Sequence, residues 1–402
     1  MIPKELFVKH VSVKAILTHC RHCGAFQKKM KNIMLKMPKV RNIVRDPNGA
    51  KDMRLVLLQE DVRLTEEDSK FIDEVGGTIT DFQLELGYDH FNSQEVLKRL
   101  LPSTIEEIPS HFETIGHVAH FNLREEHLPH KDLIGKVIID KNRHVRTVVH
   151  KTSSIATEFR TFPMEVIAGK DDLDVMVNES GCRFKFNFRE VYWNSRLQHE
   201  HLRIVKGLKP STDEVVCDMM AGIGPFAVPA AKKGCKVFAN DLNPCSHKYL
   251  VENIKLNKLG KNIKAYNMDG RDFVRSLRAE GKVFTQVFMN LPALGIEFLD
   301  VFVDGCMDDW PDDFEMPLVH TYCFSKSADP EKDVQERVAK VLGHDPIANG
   351  NGSVRQVRDV APNKLMMCAE FRLPRTPIRA NKRKPSDQPD KDDAKKAKSG
   401  KE

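Results

Sequence analysis

Two acids and two glycines in the second half of the chain have the types and spacing of a nucleoside-binding site. An apolar run ends at Asp218, Gly222 and Gly224 follow in a turn, and the next apolar run ends at Asp241. Glycine lets a backbone approach a ligand where a side chain would block it. An acid that ends the second strand is placed to hydrogen-bond a ribose hydroxyl. The pattern predicts the first strand, turn, helix and second strand of a nucleotide-binding sheet.

Two further strand-like runs extend this pattern. The third ends at Asp269-Gly270, placed to receive an adenine amino group, and the fourth ends at Asn290, followed by Leu291-Pro292. Each has an ordinary alternative, because Asp269 is also typical of a plain turn and Asn290 of a strand cap. The order and spacing of all four runs favour a doubly wound sheet, which binds its ligand at the carboxyl ends of its strands.

The features that the turn lacks indicate which nucleotide it binds. A dinucleotide site carries G-x-G-x-x-G, whereas here Pro225 interrupts the turn, and the sequence contains no G-x-x-x-x-G-K-[ST] phosphate loop. The pattern D-x-x-x-G-x-G with an acid ending the next strand resembles the S-adenosylmethionine site of Rossmann-type methyltransferases. Asn290-Leu291-Pro292 resembles the motif with which many of these enzymes hold a base beside the methyl donor. The alternative is a tight turn without a ligand.

One acid lies on an otherwise apolar helix face. In a helix that begins near Ser195, the spacing i, i+3, i+4, i+7 places Leu197, Glu200, His201 and Ile204 together. A carboxylate there could act as a general base, and we expect partial burial to raise its pKa toward neutrality. The alternative is an ordinary surface glutamate at the edge of the helix.

The elements that position these residues occupy the later part of a chain of 402 residues, which is long enough for several domains. We predict the α/β fold class, with a Rossmann-type (class I) S-adenosylmethionine-binding methyltransferase domain at residues 196–375. A smaller α+β domain precedes it at residues 111–195, and residues 46–110 form an accessory N-terminal region. Residues 1–45 and 376–402 are predicted to be disordered basic termini.

The positive charge is concentrated at the two ends. The net charge is +6, but residues 1–45 carry eleven Lys and Arg against one acid, and residues 376–402 carry nine against five. The residues between these two ends include 43 basic and 51 acidic ones, so the middle of the chain carries a net negative charge. The acid-poor start is typical of a mitochondrial transit segment, or of a flexible RNA-contacting arm.

Basic clusters at residues 382–384 and 395–396 have the spacing of a bipartite nuclear import signal, or form a solvated tail. We expect the protein in the mitochondrial matrix, the nucleus and the cytoplasm.

Cysteine usage and hydropathy exclude several classes of protein. Nine scattered cysteines in a chain of this length favour reduced thiols. Cys20 and Cys23 form a C-x-x-C, but no second ligand pair follows at zinc-finger spacing, so we expect no metal. The apolar runs are too short to span a bilayer, so we expect no membrane partner. We also expect a monomer.

Several motifs occur in the order of a known family. They resemble the archaeal and eukaryotic tRNA guanine-37 N1-methyltransferases over roughly residues 110–375. The resemblance implies transfer of a methyl group from S-adenosylmethionine to N1 of guanosine 37, 3′ of the anticodon, as the first step toward wybutosine in phenylalanine tRNA. It also implies tRNA as partner, through the anticodon stem-loop and the body, with the α+β domain at residues 111–195 contacting that tRNA. The motifs are residues 191–201, the turn at residues 218–226, Asn290-Leu291-Pro292 and residues 358–368.

The resemblance also assigns roles to single residues. It implies Glu200 as general base and Arg160 as the donor near guanine O6, with Asn290 beside them in catalysis. Substrate contacts fall on Tyr192, Arg196 and Pro292, with Tyr192 stacking on the base. Archaeal members carry an arginine where this chain has His201. The cofactor contacts fall on His201, Asp218, Gly222, Gly224, Asp241, Leu242, Asp269, Gly270 and Asn290.

The chemistry explains why such groups are needed. N1 of guanine carries a proton and becomes a nucleophile only when that proton leaves, which moves negative charge onto O6. The site therefore needs a base at N1 and a cationic or N–H donor at O6. A carboxylate suits the first role and a guanidinium the second.

Three other functions compete with this interpretation. A wybutosine-pathway aminocarboxypropyl transferase is similar through residues 192–197, but it departs from Asn290-Leu291-Pro292. A cytosine-5 RNA methyltransferase needs a nucleophilic cysteine after the fourth strand, and none lies between Asn290 and Asp304. A non-catalytic tRNA-binding relative would keep the fold without the chemistry.

Overall fold

The structure is a computed structural model, and the chain divides into two compact units. The first contains the described residues before 153 together with Pro163–Asp172, and the second contains residues 161–162 and those from Leu173 onward. The structure describes residues 2–49, 51–152, 161–209, 214–303, 310–311 and 314–374.

The first unit contains two sheets in its described residues. One has the strand order β2-β3-β1-β4 and is antiparallel throughout; the other has the order β5-β6-β7-β8, with β6 and β7 parallel. The elements are β1 (Lys9–His19), α1 (Cys23–Lys29), β2 (Ile43–Arg45), β3 (Met53–Leu57), α2 (Glu66–Glu74), β4 (Thr78–Leu86), α3 (Ser93–Leu100), β5 (Glu113–Ile115), β6 (Val118–Phe121), α4 (Lys131–Lys141), β7 (Thr147–Lys151) and β8 (Met164–Gly169).

The basic N-terminal residues belong to this unit, which differs from the predicted disordered segment. Strand β1 lies between β3 and β4, and its side chains Val11, Val13 and Ala15 are buried in the core. Lys14 and Ser12 lie on the exposed side of the same strand. The alternation of lysine with apolar residues is therefore the two-residue period of a half-buried strand.

The second unit is built around the predicted Rossmann-type sheet, and the fold class is confirmed. The strand order is β13-β12-β11-β14-β15-β17-β16, with β17 antiparallel to both neighbours and the other pairs parallel. A separate hairpin pairs β9 with β10. The elements are β9 (Asp174–Glu179), β10 (Cys182–Asn187), α5 (Gln198–Gly207), β11 (Val215–Asp218), α6 (Ala227–Lys233), β12 (Lys236–Asn240), α7 (Pro244–Leu256), β13 (Ile263–Tyr266), α8 (Gly270–Ala279), β14 (Gln286–Met289), β15 (Leu318–Ser325), α9 (Pro330–Leu342), β16 (Gly352–Ala361) and β17 (Lys364–Arg372).

The central strands are buried on both faces, as parallel strands covered by helices must be. Val216 and Cys217 in β11 and Val287 and Phe288 in β14 are all fully buried. These continuous apolar runs were the basis of the predicted sheet. No helix among the described residues is both long and apolar enough to cross a membrane.

The division into units differs from the predicted boundary between residues 195 and 196. The hairpin of β9 and β10 belongs to the second unit, because helix α7 supplies hydrogen bonds to the edge of β10. Asn253 Oδ1 accepts from the Lys185 N–H at 2.8 Å, and Asn257 Oδ1 accepts from the Arg183 N–H at 3.0 Å. The basic C-terminal tail, residues 376–402, lies outside the described residues.

Candidate active site

Asp241 joins the glycine turn to the end of the second strand of the sheet. Its Oδ2 accepts from the Gly222 N–H at 2.8 Å, and its Oδ1 accepts from the Asn243 N–H at 2.9 Å. Gly222 has φ 55° and Gly224 has φ 100°, both in the left-handed region that favours glycine. Burial raises the pKa of Asp241 against the effect of these two bonds. The predicted turn is therefore present and is held by the predicted acid.

Asp218 is a fully buried carboxyl group at the end of β11. Neither of its oxygens has a hydrogen-bond partner of normal geometry in the part of the chain that the structure describes. Burial, and then repulsion from Asp241, raise its pKa well above the ordinary value. The site thus contains a desolvated polar group that a ligand donor could satisfy.

Asn240 aligns three strand ends, and nothing in the sequence had singled it out. Its Nδ2 donates to the Met219 and Met268 carbonyls at 3.2 and 2.9 Å, and its Oδ1 accepts from the Met268 N–H at 3.0 Å. The residue is 1 % exposed. It thereby ties the carboxyl ends of β11, β12 and β13 together. A signal was available, since an amide that ends a buried apolar strand needs partners.

The third strand end carries Asp269 and Gly270. The Asp269 Oδ1 accepts from the Arg271 N–H at 2.8 Å and caps α8, so part of this carboxylate serves the helix. A Cβ on Gly270 would lie 3.3 Å from the Phe298 ring, so a larger residue there would require the ring to shift by a few tenths of an ångström. Leu242, beyond β12, is 42 % exposed and offers an apolar surface.

The fourth strand end carries Asn290 and Pro292 in a fixed turn. The Leu291 carbonyl accepts from the Gly295 N–H at 2.6 Å, and the Pro292 carbonyl accepts from the Phe324 N–H at 3.0 Å. The Asn290 Oδ1 is buried and has no hydrogen-bond partner among the described residues. An unsatisfied buried acceptor costs about 1–3 kcal/mol, so a donor from a ligand would be favourable there.

Glu200 is buried on α5, as the helix-face pattern predicted, with 6 % of the residue exposed. Arg203 donates from Nε to Oε2 and from Nη2 to Oε1, both at 3.0 Å. The Tyr322 hydroxyl donates to Oε1 at 2.6 Å, and Arg355 Nη2 donates to the same oxygen. Glu200 is therefore held by three side chains from three different elements.

The expected direction of the Glu200 pKa is wrong. Burial alone raises this pKa, but the hydrogen bonds from Arg203, Tyr322 and Arg355 outweigh it, so the pKa lies below the ordinary value. Two of the three donors are 122 and 155 residues away along the chain, so local sequence could not reveal them.

Glu370 completes a closed arrangement of charges, which we call the charged ring: Glu200, Arg203, Arg355 and Glu370. The Glu370 Oε1 accepts from Arg203 Nη2 and, at 3.3 Å, from Arg355 Nε. Arg203 lies on α5, Arg355 on β16 and Glu370 on β17. Opposite charges alternate around the ring, which joins the helix to the antiparallel end of the sheet.

His201 has a buried partner that the sequence did not indicate. Its Nδ1 lies 2.5 Å from the Glu179 Oε1 at the end of β9, and the two residues are 3 and 4 % exposed. The ring packs edge-on against Phe226, with centroids 4.6 Å apart. Its Nε2 is buried and has no hydrogen-bond partner within the described ranges. Where the resemblance implies an arginine in archaeal members, this chain has an imidazole held by a carboxylate.

The structure describes two of the residues predicted on the substrate side, Tyr192 and Arg196, and both are exposed. Tyr192 is 42 % exposed, and its hydroxyl accepts from Asn194 Nδ2 at 3.2 Å. The exposed Arg196 donates its backbone N–H to the Asn194 Oδ1 at 3.1 Å. Arg160, the predicted donor near O6, lies outside the described residues.

In the described ranges, no group of three or more His, Cys, Asp or Glu side chains could hold a metal ion.

The chain is similar to known proteins over most of its length. Residues 175–340 match the TRM5/TYW2 methyltransferase domain, and residues 93–172 match the TYW2 N-terminal domain. The chain is 48 % identical to the tRNA (guanine(37)-N(1))-methyltransferase of Phytophthora infestans, over 97 % of this chain and 96 % of that protein. It is 40 % identical to the Mus musculus protein of the same name, over 94 % and 78 %.

The crystal structure of WT Trm5b from Pyrococcus abyssi is also similar. It covers 90 % of this chain and 99 % of its own, with a TM-score of 0.63 and 26 % identity. The identity to the curated relatives extends over nearly the whole sequence, beyond the methyltransferase domain alone. The chain belongs to the tRNA (guanine(37)-N1)-methyltransferase family.

Proposed function

We propose that the protein transfers the methyl group of S-adenosylmethionine to N1 of guanosine 37 in tRNA. The observation that carries this proposal is the buried Glu200 carboxylate, held by Arg203 and Tyr322, in a member of this family. A general base at N1 is the group that the reaction requires and that the bare nucleobase lacks.

The carboxyl edge of the sheet fits the cofactor. Asp241 is placed for a ribose hydroxyl, the exposed Leu242 offers an apolar contact to adenine, and Asp269 is the acceptor for its amino group. The unsatisfied carboxyl of Asp218 and the unsatisfied Oδ1 of Asn290 are acceptors that the donors of such a ligand could use. When bound, the cofactor supplies an activated methyl group.

The two oxygens of Glu200 differ in what they can still accept. Within the described residues Oε1 accepts from Arg203, Tyr322 and Arg355, whereas Oε2 accepts only from Arg203. Oε2 therefore has the free lone pair that would take the N1 proton. Because the Glu200 pKa is lowered, the carboxylate is ionised throughout the neutral range.

The substrate side of the site requires two further contributions. The exposed ring of Tyr192, with its hydroxyl held by Asn194, offers a flat face on which an unstacked base could lie. The charge that develops on O6 needs a donor, and Arg160 is the residue that the family resemblance proposes for it. His201 and Glu179 complete the proposed cofactor side.

The test uses unmodified tRNA and labelled S-adenosylmethionine, followed by nucleoside analysis of the product. We expect one added methyl group on N1 of guanosine 37. A much heavier aminocarboxypropyl adduct would instead identify the wybutosine-pathway transferase. Cofactor binding without any modified nucleoside would identify a non-catalytic tRNA-binding protein.

The base assignment has its own experiment. Glu200→Gln keeps the shape but removes the proton acceptor, so the single-turnover rate should fall roughly 10²–10⁴-fold with little change in cofactor Kd. Glu331→Gln, an exposed position at the start of α9, is the matched control and should keep the parent rate. An unchanged rate for Glu200→Gln would remove Glu200 from the base role.

A further inference from the structure

The charged ring contains one member, Glu370, whose role is not yet explained. It lies on β17, and its side chain is 19 % exposed. Its Oε1 accepts from both arginines that hold Glu200: from Arg203 Nη2, which also donates to Glu200, and from Arg355 Nε. Neither guanidinium is therefore committed to Glu200 alone.

This sharing matters because a general base must meet two opposing requirements. Hydrogen bonds from cations fix the orientation of Glu200, but they also lower its affinity for a proton. A general base with a lower proton affinity removes the proton from its substrate less efficiently. A second carboxylate on the same two guanidiniums divides their positive charge, while leaving both in place to orient the first carboxylate.

We propose that Glu370 is a positioning residue that shares Arg203 and Arg355 with Glu200, and so keeps the general base oriented yet able to accept the N1 proton. This inference rests on the proposed function of Glu200. In that step the N1–H bond breaks and an O–H bond forms on Glu200. The electron pair left on the guanine would then form the bond to the methyl carbon. The carbon–sulfur bond would break, and its electron pair would stay on sulfur, which leaves as a neutral thioether.

Other titratable groups also lie around the charged ring. Tyr322 on β15 and Cys368 on β17 face it, and burial raises the pKa of each well above its ordinary value, so both stay protonated. His320 on β15 faces Glu370, with its Nδ1 3.8 Å from Oε1. The remaining charges are the two guanidiniums of the ring.

The experiment measures the single-turnover rate against pH at saturating cofactor. Arg355→Gln removes one cation, so the pH at which the rate is half-maximal should rise by about one unit and become measurable. Adding Glu370→Gln to this variant leaves Arg203 to Glu200 alone. The half-maximal pH should then move back down by about half a unit to one unit.

The single variant Glu370→Gln should lower the plateau rate by about threefold to tenfold, because both guanidiniums then act on Glu200 alone. Glu370→Asp keeps the negative charge on a side chain that is shorter by one methylene group. We expect its plateau rate to lie between those of the parent and of Glu370→Gln. Glu315→Gln removes an exposed glutamate that pairs with Arg372 outside the ring, and it should behave as the parent. Thermal unfolding shows whether each variant is folded.

The outcomes separate this inference from the proposed function. If the Glu370 variants lower only the melting temperature, while the plateau rate and half-maximal pH stay unchanged, the ring is purely structural and the inference is overturned. Should Glu370→Gln fail to fold, Glu370→Asp still decides, because a parent-like rate and pH profile would overturn it. A full rate for Glu200→Gln would instead refute the base assignment itself.

Discussion

At the scale of single residues, the structure explains how a glutamate can be buried and still ionised. Arg203, Tyr322 and Arg355 surround Glu200, and each donates to its carboxylate. A buried carboxylate without such donors would become protonated instead. The helix-face pattern alone suggested a base with a raised pKa, and the donors reverse that direction.

The lowered pKa of Glu200 predicts a pH dependence of stability. A carboxyl whose pKa is lower in the folded state stabilises the fold above its unfolded pKa, and this contribution is lost as the pH falls through the folded value. We therefore expect the parent to lose more thermal stability between about pH 5 and about pH 2 than Glu200→Gln does, because the folded pKa lies below the ordinary value. Melting temperatures at the two pH values measure this, and equal losses would contradict it.

The second prediction at this scale concerns Asp241. Asp241→Ala removes the acceptor for the N–H groups of Gly222 and Asn243 and the proposed ribose acceptor. Hydrogen bonds to a charged group are worth about 1.5–3 kcal/mol, so cofactor affinity should fall by at least tenfold. Calorimetry with S-adenosylhomocysteine measures this. Asp272→Ala, exposed on α8, is the control, and equal affinity of both variants would refute the role.

The sequence predicted the strand ends and the turn of the proposed cofactor side better than the side chains that contact them. Asp218, Gly222 and Asp241 could be recognised because each ends a strand or opens a turn, and such signals are local. Glu179 and Glu370 could not, because their proposed roles depend on contacts with His201 and with two arginines from other elements. An acidic residue in an apolar strand indicates that a polar or charged partner lies nearby, but the sequence does not identify that partner.

At the scale of elements, asparagine side chains at the C-terminal end of helix α7 accept hydrogen bonds from the backbone of β10, as a neighbouring strand would. The predicted domain boundary between residues 195 and 196 assigned the segment of β10 to the preceding α+β domain, apart from helix α7. Asn253 and Asn257, four residues apart, lie on the same side of the helix and bond to alternate residues of β10. Strand identity follows from local alternation, whereas the assignment to a unit follows from these distant bonds.

This contact gives a third prediction. Asn253 is fully buried, accepts from the Lys185 N–H and donates to the Ile223 carbonyl at 3.3 Å. Asn253→Ala leaves buried backbone groups without partners, so the free energy of unfolding should fall by about 1–3 kcal/mol. Denaturant unfolding measures it. Lys255→Ala, exposed on the same helix, should stay within about 0.5 kcal/mol of the parent, and similar values for both would refute the contact.

At the scale of the whole molecule, the distribution of charge along the sequence suggested that residues 1–45 lie outside the folded domains, and the structure places them in a sheet. The positive charge at the N-terminal end suggested a segment separate from the folded body. Instead β1 hydrogen-bonds to β3 on one side and to β4 on the other. Cleavage after residue 45 would remove this strand and leave the two neighbours unpaired. The charge pattern alone did not distinguish an exposed strand face from a transit segment.

The last prediction tests whether residues 1–45 belong to the fold. Ala15 is fully buried in β1, whereas Ser12 lies on its exposed face. Ala15→Asp places an unpaired carboxylate in the core of the first sheet, at a cost of several kcal/mol, comparable to the stability of a domain. Ser12→Asp adds the same charge in contact with water. Ala15→Asp should make the first unit sensitive to limited proteolysis and lower its melting temperature, and Ser12→Asp should do neither. A transit segment or flexible arm would tolerate both substitutions equally, because neither side chain would be buried.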